Sequence, residues 1–509
     1  MIGDIPINHV PSTYLQILKS TALVGGSSVL SMMIGIVRTK AMAVLLGPAG
    51  FGLAGMYGSL ASLTQSIAGM GVNSSGVRQI AEAAGSGNAV RIATTAIVLQ
   101  RTSLVLGALG ALLLALFAEP ASQLTFGDDR HSTEIRILSL TVFLQLVSFG
   151  QGALIQGMRR ITDLAKMTVI GAASGTAVTL LLIRLFGEGG VVPSLVAVAG
   201  MALLTSWWYS RTIEVEHVHV SLAEAGREAR ALLKLGFAFM AGGLLTVGSA
   251  YLIRIILLHK VGLAATGLYQ AAWTLGGLYI GIILQAMGAD FYPRLTAVVH
   301  DHEECNRIVN EQTLVSLILA GPGVVGTLTF APLILAVLYA PEFAPAVGLL
   351  RWICLGIALR VMSWPLGYII IAKGSQGFLI ASETSWTVVH LTLAWMLIGR
   401  MGADGAGIAF CGAYAWHVAF NYILARRLTG FGWSKQNRAA VLVYTGSIGA
   451  AFLAFALLPA GPAALLGGCA LLLAVAHSLR SLSEIVSLDE LPAPLRAITR
   501  RLRAPVPGI

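Results

Sequence analysis

Long apolar runs follow one another along almost the whole chain, separated by short polar or Gly/Pro-containing segments. A helix needs roughly 20 mostly apolar residues to cross the hydrocarbon core. Runs of that length fall near residues 21–46, 50–72, 92–118, 135–157, 164–186, 190–210, 233–258, 267–290, 312–339, 347–371, 377–399, 403–425, 440–459 and 462–479. They do not alternate apolar with polar as the strands of a membrane barrel do, and isolated strands would leave backbone groups unpaired in lipid. The pattern predicts an all-α polytopic membrane protein of about 14 transmembrane helices.

Composition agrees. Of 509 residues, 56% are hydrophobic and 11% charged, against about 25% charged in a soluble domain. Mean hydropathy is +0.81. The four cysteines are scattered with no CxxC, so neither a disulfide framework nor a metal motif is indicated. The first twenty residues lack the basic start and apolar core of a cleaved signal peptide.

The net charge of +10 is better explained by membrane topology than by nucleic acid. With an inside N-terminus, 22 of the 33 Lys and Arg residues fall in cytoplasmic segments, six on the opposite side and five inside spans. That asymmetry puts both termini in the cytoplasm. The expected location is a bacterial inner membrane.

A repeat underlies the spans. "GSSVLSMMIGIVRTKAMAVLLGPAGFG" and "GGLLTVGSAYLIRIILLHKVGLAATGLYQ" share an apolar helix carrying Arg, a turn and a Gly-rich second helix. An offset of 216 pairs Gly26 with Gly242, Arg38 with Arg254, Arg78 with Arg294 and Arg91 with Arg307. An even number of spans separates the copies, so they run parallel, an arrangement found in transporters. The expected organisation is an N-lobe over 15–212, a cytoplasmic amphipathic linker helix over 213–232, a C-lobe over 233–428, two extra spans over 440–479 and a cytoplasmic tail over 480–509.

Candidate chemistry lies in the charges inside spans. A cation at the bilayer centre costs about 2.5–3.5 kcal/mol on insertion scales and usually faces a bundle interior or a wet cavity. Arg38, Lys40, Arg254 and Arg360 are the candidate lining of such a cavity; snorkelling to the headgroups is the alternative for each. Bases outnumber acids there, which implies an anionic substrate. Arg suits phosphate through its bidentate fork. Arg78, Arg294 and Lys373 are candidates for guiding a substrate at the cytoplasmic mouth. Asp290 and Glu383, near the same face, are candidates for H⁺ or Na⁺ coupling or for structural pairing with Arg294 and Lys373.

Other signals carry less. "GFGLAG" matches GxGxxG but lies between two spans, so helix packing explains it better than dinucleotide binding. No Walker A motif is present. No cofactor or metal is expected, and the histidines of "EHVHV" and "HDHEEC" read as loop residues. Trp207, Trp208 and Tyr209 read as an interfacial aromatic belt.

"LLGPAGFGLAGMYGSLASLTQSIAGMGVNSSGVRQIAEA" (45–83), "GYIIIAKGSQGFLIASETSW" (367–386) and the following "GADGAGIAFCGAYAWHVAFNYIL" resemble the Wzx-type O-antigen and enterobacterial common-antigen lipid flippases of the MOP superfamily. The resemblance covers roughly 15–430. Lys40, Arg254 and Lys373 fall where that family carries basic residues, Arg78 replaces a similar one, and Arg38 is not clearly a family position. The resemblance implies two six-helix lobes working by alternating access. It implies as substrate an undecaprenyl-pyrophosphate-linked oligosaccharide, an O-antigen or exopolysaccharide repeat unit, moved to the periplasmic leaflet. Implied partners are membrane lipids and polysaccharide polymerase machinery, with no nucleic acid. The family core has twelve spans; the extra two resemble the lipid II flippases, which leaves lipid II as an alternative substrate. A cation-coupled multidrug exporter of the same superfamily is a second alternative, disfavoured by the scarcity of buried acids. A membrane enzyme is disfavoured by the short extracytoplasmic loops.

Overall fold

The computed structural model describes residues 10–216 and 218–485 and shows no strand among them. The expected tail therefore lies largely outside the described residues. The chain forms two compact units, Met1–His259 and Lys260–Ile509. The first holds α1 (Val10–Gly69), α2 (Val72–Gly85), α3 (Ala89–Leu116), α4 (Ala118–Phe126), α5 (Ser132–Gly157), α6 (Ile161–Phe186), α7 (Val191–Ser210) and α8 (Leu222–Lys260). The second holds α9 (Leu263–Ala297), α10 (His302–Thr329), α11 (Ala331–Leu338), α12 (Ala346–Ala372), α13 (Gln376–Met401), α14 (Ala403–Thr429), α15 (Lys435–Leu457) and α16 (Ala460–Ile485).

Among the described residues, ten helical segments are long and apolar enough to cross a membrane. Gly26–Gly69, 44 residues, would measure about 66 Å as one straight helix, twice the hydrocarbon thickness of about 30 Å. It breaks at Gly47 (φ 62°, ψ −173°), followed by Pro48, which suits the first turn of a new helix. Ile161–Ser210, 50 residues, breaks likewise at the 3₁₀ turn Gly187–Gly190. Each therefore supplies two crossings. With α9 and α13, of 35 and 26 residues, the expected fourteen spans are accounted for. Large apolar side chains lie on the outside, as lipid requires: Leu442, Leu457, Leu465 and Leu472 are all at least 70% exposed.

The internal repeat is visible in the helix ends. Asn88 and Asp301 open α3 and α10 with nearly the same backbone (φ −91°, ψ 105° and φ −89°, ψ 104°), and each side chain caps its first turn. Phe117 and Phe330 end those helices alike, at φ −94° in both. Gly187 (φ 57°, ψ −132°) and Gly402 (φ 63°, ψ −143°) end α6 and α13. Gly262 (φ 112°, ψ 177°) opens α9 much as Gly47 opens the second half of α1.

These caps correct the register. Asp301 follows Asn88 by 213 positions, and Gly262 and Gly402 follow Gly47 and Gly187 by 215. No uniform offset of 216 exists. Arg38 corresponds to Ile253, so Arg254 is rotated about 100° around its helix from the equivalent position. Arg91 corresponds to Glu304, not Arg307, and the pairing of Arg78 with Arg294 is out of register as well.

The linker also differs from expectation. No helix covers 211–221 among the described residues. Helix begins at Leu222 and runs without interruption into span seven as α8. The amphipathic stretch is thus the first turns of a long helix. Its Leu232 is buried among Val72, Ile80, Leu99 and Leu154, so α8 is part of the first unit, although its span was expected to open the C-lobe.

At the C-terminal end of α1 a second break, Met70 (φ 44°) and Gly71 (φ 66°), leads into α2. There α8 makes its closest approach. A Cβ on Gly71 would lie 2.1 Å from the Gly236 carbonyl oxygen, and one on Gly236 would lie 2.3 Å from the Met70 oxygen. Two glycines therefore set the crossing.

In the second unit α15 and α16 pack on α10. The Tyr444 ring occupies the notch left by Gly321, where a Cβ would meet it at 2.3 Å. The Tyr444 hydroxyl bonds Ser478, which in turn donates to the Ile318 carbonyl at 2.9 Å. Asn437 of α15 donates to the Asn310 carbonyl at 2.9 Å.

Gly71→Ala forces an alanine into a left-handed conformation that costs about 1–2 kcal/mol and adds the clash with Gly236. We expect the purified protein to lose at least that much stability in a detergent melt. Gly200→Ala, whose Cβ meets nothing within 4 Å, is expected to be neutral. Equal melting of both variants and the wild type would contradict the proposed crossing.

Candidate functional site

The first unit carries three of the four candidate cavity cations. Arg38 and Lys40 lie on α1 ahead of its break; Arg38 is half-buried and Lys40 exposed. Arg254 on α8 is 5% exposed, within a segment apolar enough to span a membrane, Gly243–Lys260. Its Nη1 donates to the Ala250 carbonyl at 2.7 Å, one turn back. The C-terminal end of α8 is fixed by α4: the Tyr251 hydroxyl bonds Thr125 Oγ1, and His259 Nε2 lies 3.2 Å from the Thr125 carbonyl. Arg254 sits between these two anchors, on a helix held at both ends.

The fourth cation, Arg360, belongs to the second unit. It lies on α12, with its guanidinium 5.7 Å from the Trp364 ring centroid. It interacts electrostatically with Glu383 of α13 and His417 of α14. Glu383 therefore shares a helix interior with Arg360.

Lys373 has a different partner from Glu383. It follows α12, and its Nζ donates to the Val299 carbonyl, tying α12 to the turn between α9 and α10. Arg78 is exposed and paired with Glu82 one turn on, Nε to Oε1 2.9 Å. Arg294 is exposed in the last turn of α9. The side chain of Asp290 lies outside the described residues. Among the described residues no three His, Cys, Asp or Glu side chains converge as a metal site would need. At the C-terminal end of α7 the Arg211 guanidinium stacks 3.9 Å from the Trp208 centroid, as an interfacial belt residue does.

Two features escaped the sequence. One is a polar network between α12, α13 and α14. Ser363 Oγ lies 2.9 Å from His417 Nδ1, and Asn421 Nδ2 lies 3.1 Å from His417 Nε2. Ser382 donates to Asn421 Oδ1 at 2.6 Å, and Asn421 Nδ2 also reaches Ser363 Oγ at 3.2 Å. An amide nitrogen only donates, so Nε2 accepts and the proton sits on Nδ1, donated to Ser363. Every member then has a partner. Buried Ser and Asn side chains at helix-facing spacing were the only signal in the sequence, and such residues are common between membrane helices.

The other feature is a cavity of about 280 Å³ in the first unit, lined by α1, α2, α3, α5 and α8. Ser62, Gln65, Ser66 and Gly69 contribute one face of α1, and Asn73 and Ser74 contribute the start of α2 beyond the break. The i, i+3, i+4, i+7 spacing of that face was legible as a polar stripe on an apolar helix.

Comparison with known proteins places these features in a family context. A family described as polysaccharide biosynthesis protein matches residues 41–348. A lipid III flippase of Escherichia coli (strain K12) is 24% identical over 414 residues, covering 79% of this chain and 96% of that protein. The lipid III flippase of Shigella flexneri matches equally. Among solved structures, the lipid II flippase MurJ in an inward-closed conformation aligns with a TM-score of 0.66 at 14% identity, over 90% of this chain and 99% of that one. An inward-facing multidrug resistance MATE family transporter of the MOP superfamily aligns with a TM-score of 0.60 at 15% identity, over 79% and 96%. These structural likenesses establish a shared polytopic fold.

Interhelical hydrogen bonds in membranes average about 0.6 kcal/mol each. Asn421→Ala removes several at once, so we expect a loss of about 1–2 kcal/mol in a detergent melt. Ser385→Ala, which removes an exposed acceptor for Trp416 and a bond to the Ser382 carbonyl within its own helix, is expected to cost less than about 0.5 kcal/mol. An Asn421→Ala variant as stable as the wild type would show that the network carries no stability.

Proposed function

Since the chain belongs to the polysaccharide biosynthesis protein family, we propose that it is a flippase for undecaprenyl-pyrophosphate-linked oligosaccharide, an O-antigen or exopolysaccharide repeat unit. It carries the glycan headgroup from the cytoplasmic to the periplasmic leaflet by alternating access while the polyprenyl tail stays in lipid. The observation that carries this reading is Arg254, 5% exposed inside an apolar span. An ionisable residue inside an apolar span marks a substrate or ion pathway, and a guanidinium can hold a pyrophosphate bidentately. The lipid III flippases matched over 96% of their own length support the same substrate class.

In this reading Arg38, Lys40 and Arg254 bind the pyrophosphate, and Arg78, Arg294 and Lys373 guide it at the cytoplasmic mouth. Lys373 gives one of its three N–H donors to the Val299 carbonyl. Arg360 and Glu383 form a coupling pair: a proton on Glu383 frees the Arg360 charge for the substrate. The protein works in a bacterial inner membrane with both termini cytoplasmic, alongside polysaccharide polymerase machinery, and catalyses no covalent step. One observation favours lipid II instead: the two added spans, α15 and α16, packed on α10, together with the MurJ likeness over 90% of the chain.

Complementation separates the two substrates. We expect the gene to restore surface polysaccharide in a strain lacking its own oligosaccharide-lipid flippase, and not to rescue depletion of a lipid II flippase; the opposite pattern transfers the assignment to lipid II. In the rescued strain, Lys40→Ala and Arg254→Ala are each expected to lower export about tenfold or more, the loss of one charge-assisted hydrogen bond. Arg254→Lys is expected to retain more than the alanine variant. Normal export by both alanine variants at normal membrane abundance would remove these residues from the site.

A further inference from the structure

The cavity in the first unit has a chemistry unlike that of the basic residues. No Asp, Glu, Lys or Arg lines it. Its polar wall is Ser62, Gln65 and Ser66 on α1 with Asn73 and Ser74 on α2. Among the described residues the side chains of Gln65, Asn73 and Ser74 make no hydrogen bond. An amide presents two donors and one acceptor oxygen, and five such hydroxyl and amide groups share one small space. The opposite wall is apolar and includes Phe149, Leu146 and Met240.

The backbone is built around this space. The left-handed Met70–Gly71 break ends α1 and starts α2 at the cavity wall, so side chains of both helices reach it. Gly71 has no side-chain cap over α2, so amides of the first turn add donors. Gly150 leaves room for the Ser103 hydroxyl, which would lie 2.4 Å from a Cβ there. At about 280 Å³ the space is at the small end of ligand pockets, which begin near 300 Å³. Ser62, Asn73 and Ser74 at its rim are exposed, so the space is open on one side and sized to hold one ring of a longer glycan.

We propose that this cavity is a glycan subsite: it takes one uncharged sugar ring of the lipid-linked substrate, its hydroxyl or acetamido groups bonding Gln65 and Asn73 and its C–H face lying against the apolar wall. The proposal rests on the flippase reading and deepens it. A ring with alternating donors and acceptors matches neutral amides and hydroxyls on one side and apolar carbon on the other. A pyrophosphate, all acceptors and two or more charges, would find no cationic side chain there. The subsite therefore recognises the sugar, and the basic residues recognise the phosphates.

The test uses the full-length protein in nanodiscs and two probes, undecaprenyl pyrophosphate and undecaprenyl pyrophosphate carrying one N-acetylhexosamine. Wild type is expected to bind the sugar-bearing lipid about tenfold more tightly, the equivalent of one or two neutral hydrogen bonds. In Gln65→Ala/Asn73→Ala that preference is expected to fall to about twofold or less while affinity for the bare lipid stays unchanged. Ser66→Leu, which narrows the cavity without adding charge, is expected to do the same, so the result does not hang on the folding of one variant. A preference that survives both variants overturns the subsite, as does a parallel loss for both lipids. Wild-type protein that binds neither lipid overturns the flippase reading itself.

Discussion

An unpaired backbone amide or carbonyl in hydrocarbon costs several kcal/mol, and this constraint sets the rest of the structure. It turns every crossing into helix and confines irregular backbone to a few points. Those points are mostly glycines at positive φ: Gly47, Gly71, Gly187, Gly262, Gly374, Gly402 and Gly430. Helix packing then depends on where backbone can approach backbone, which is why Gly71 and Gly236 determine how α8 crosses the break between α1 and α2.

The fold class was legible because hydropathy reports the same constraint. The register of the repeat was less so. Matching arginines across two apolar helices gave an offset of 216, whereas the caps Asn88 and Asp301 and the turns Gly47 and Gly262 give 213 and 215. Apolar helices tolerate a slip of one or two residues in any such comparison; a cap does not, since its side chain must meet particular backbone groups. The extent of the linker helix differs from expectation for a related reason. Amphipathic periodicity over 222–232 identifies a helix and one buried face, but it cannot tell whether the helix stops before the next span.

The candidate site divides along the same line. An apolar run flags a cation without fixing its burial: Arg254 is buried, Arg38 half-buried and Lys40 exposed. Which acid accompanies which base could not be read from it, because that depends on the rotational phase of neighbouring helices. Glu383 shares its surroundings with Arg360 of α12, while Lys373, near it in sequence, donates to the Val299 carbonyl. Neutral polar residues were the least legible of all. Ser, Gln and Asn occur on many membrane helices, and only three-dimensional closure shows whether they satisfy one another.

Closure distinguishes the two units. In the second, Ser363, Ser382, His417 and Asn421 complete one another's hydrogen bonds, so the network holds α12, α13 and α14 together and has little left to offer a ligand. In the first, Gln65, Asn73 and Ser74 face a cavity with their hydrogen bonds unspent within the described chain. Both sets use the same few residue types at the same helical spacings. A polar group whose partner is protein stabilises the helix pair; one whose partner is absent must be met by water or by substrate. Exchanging one for the other is how a transporter can bind a hydroxylated headgroup with little net cost in hydrogen bonds: each sugar hydroxyl that leaves water meets an amide that was itself only hydrated. In the proposed subsite selectivity comes from geometry and from the apolar wall, and the proposed function leaves the charge of the pyrophosphate to the basic residues, Arg254 among them. A division of this kind lets the sugar vary among related carriers through a few neutral side chains, without altering the costly buried charges on which every lipid pyrophosphate would depend.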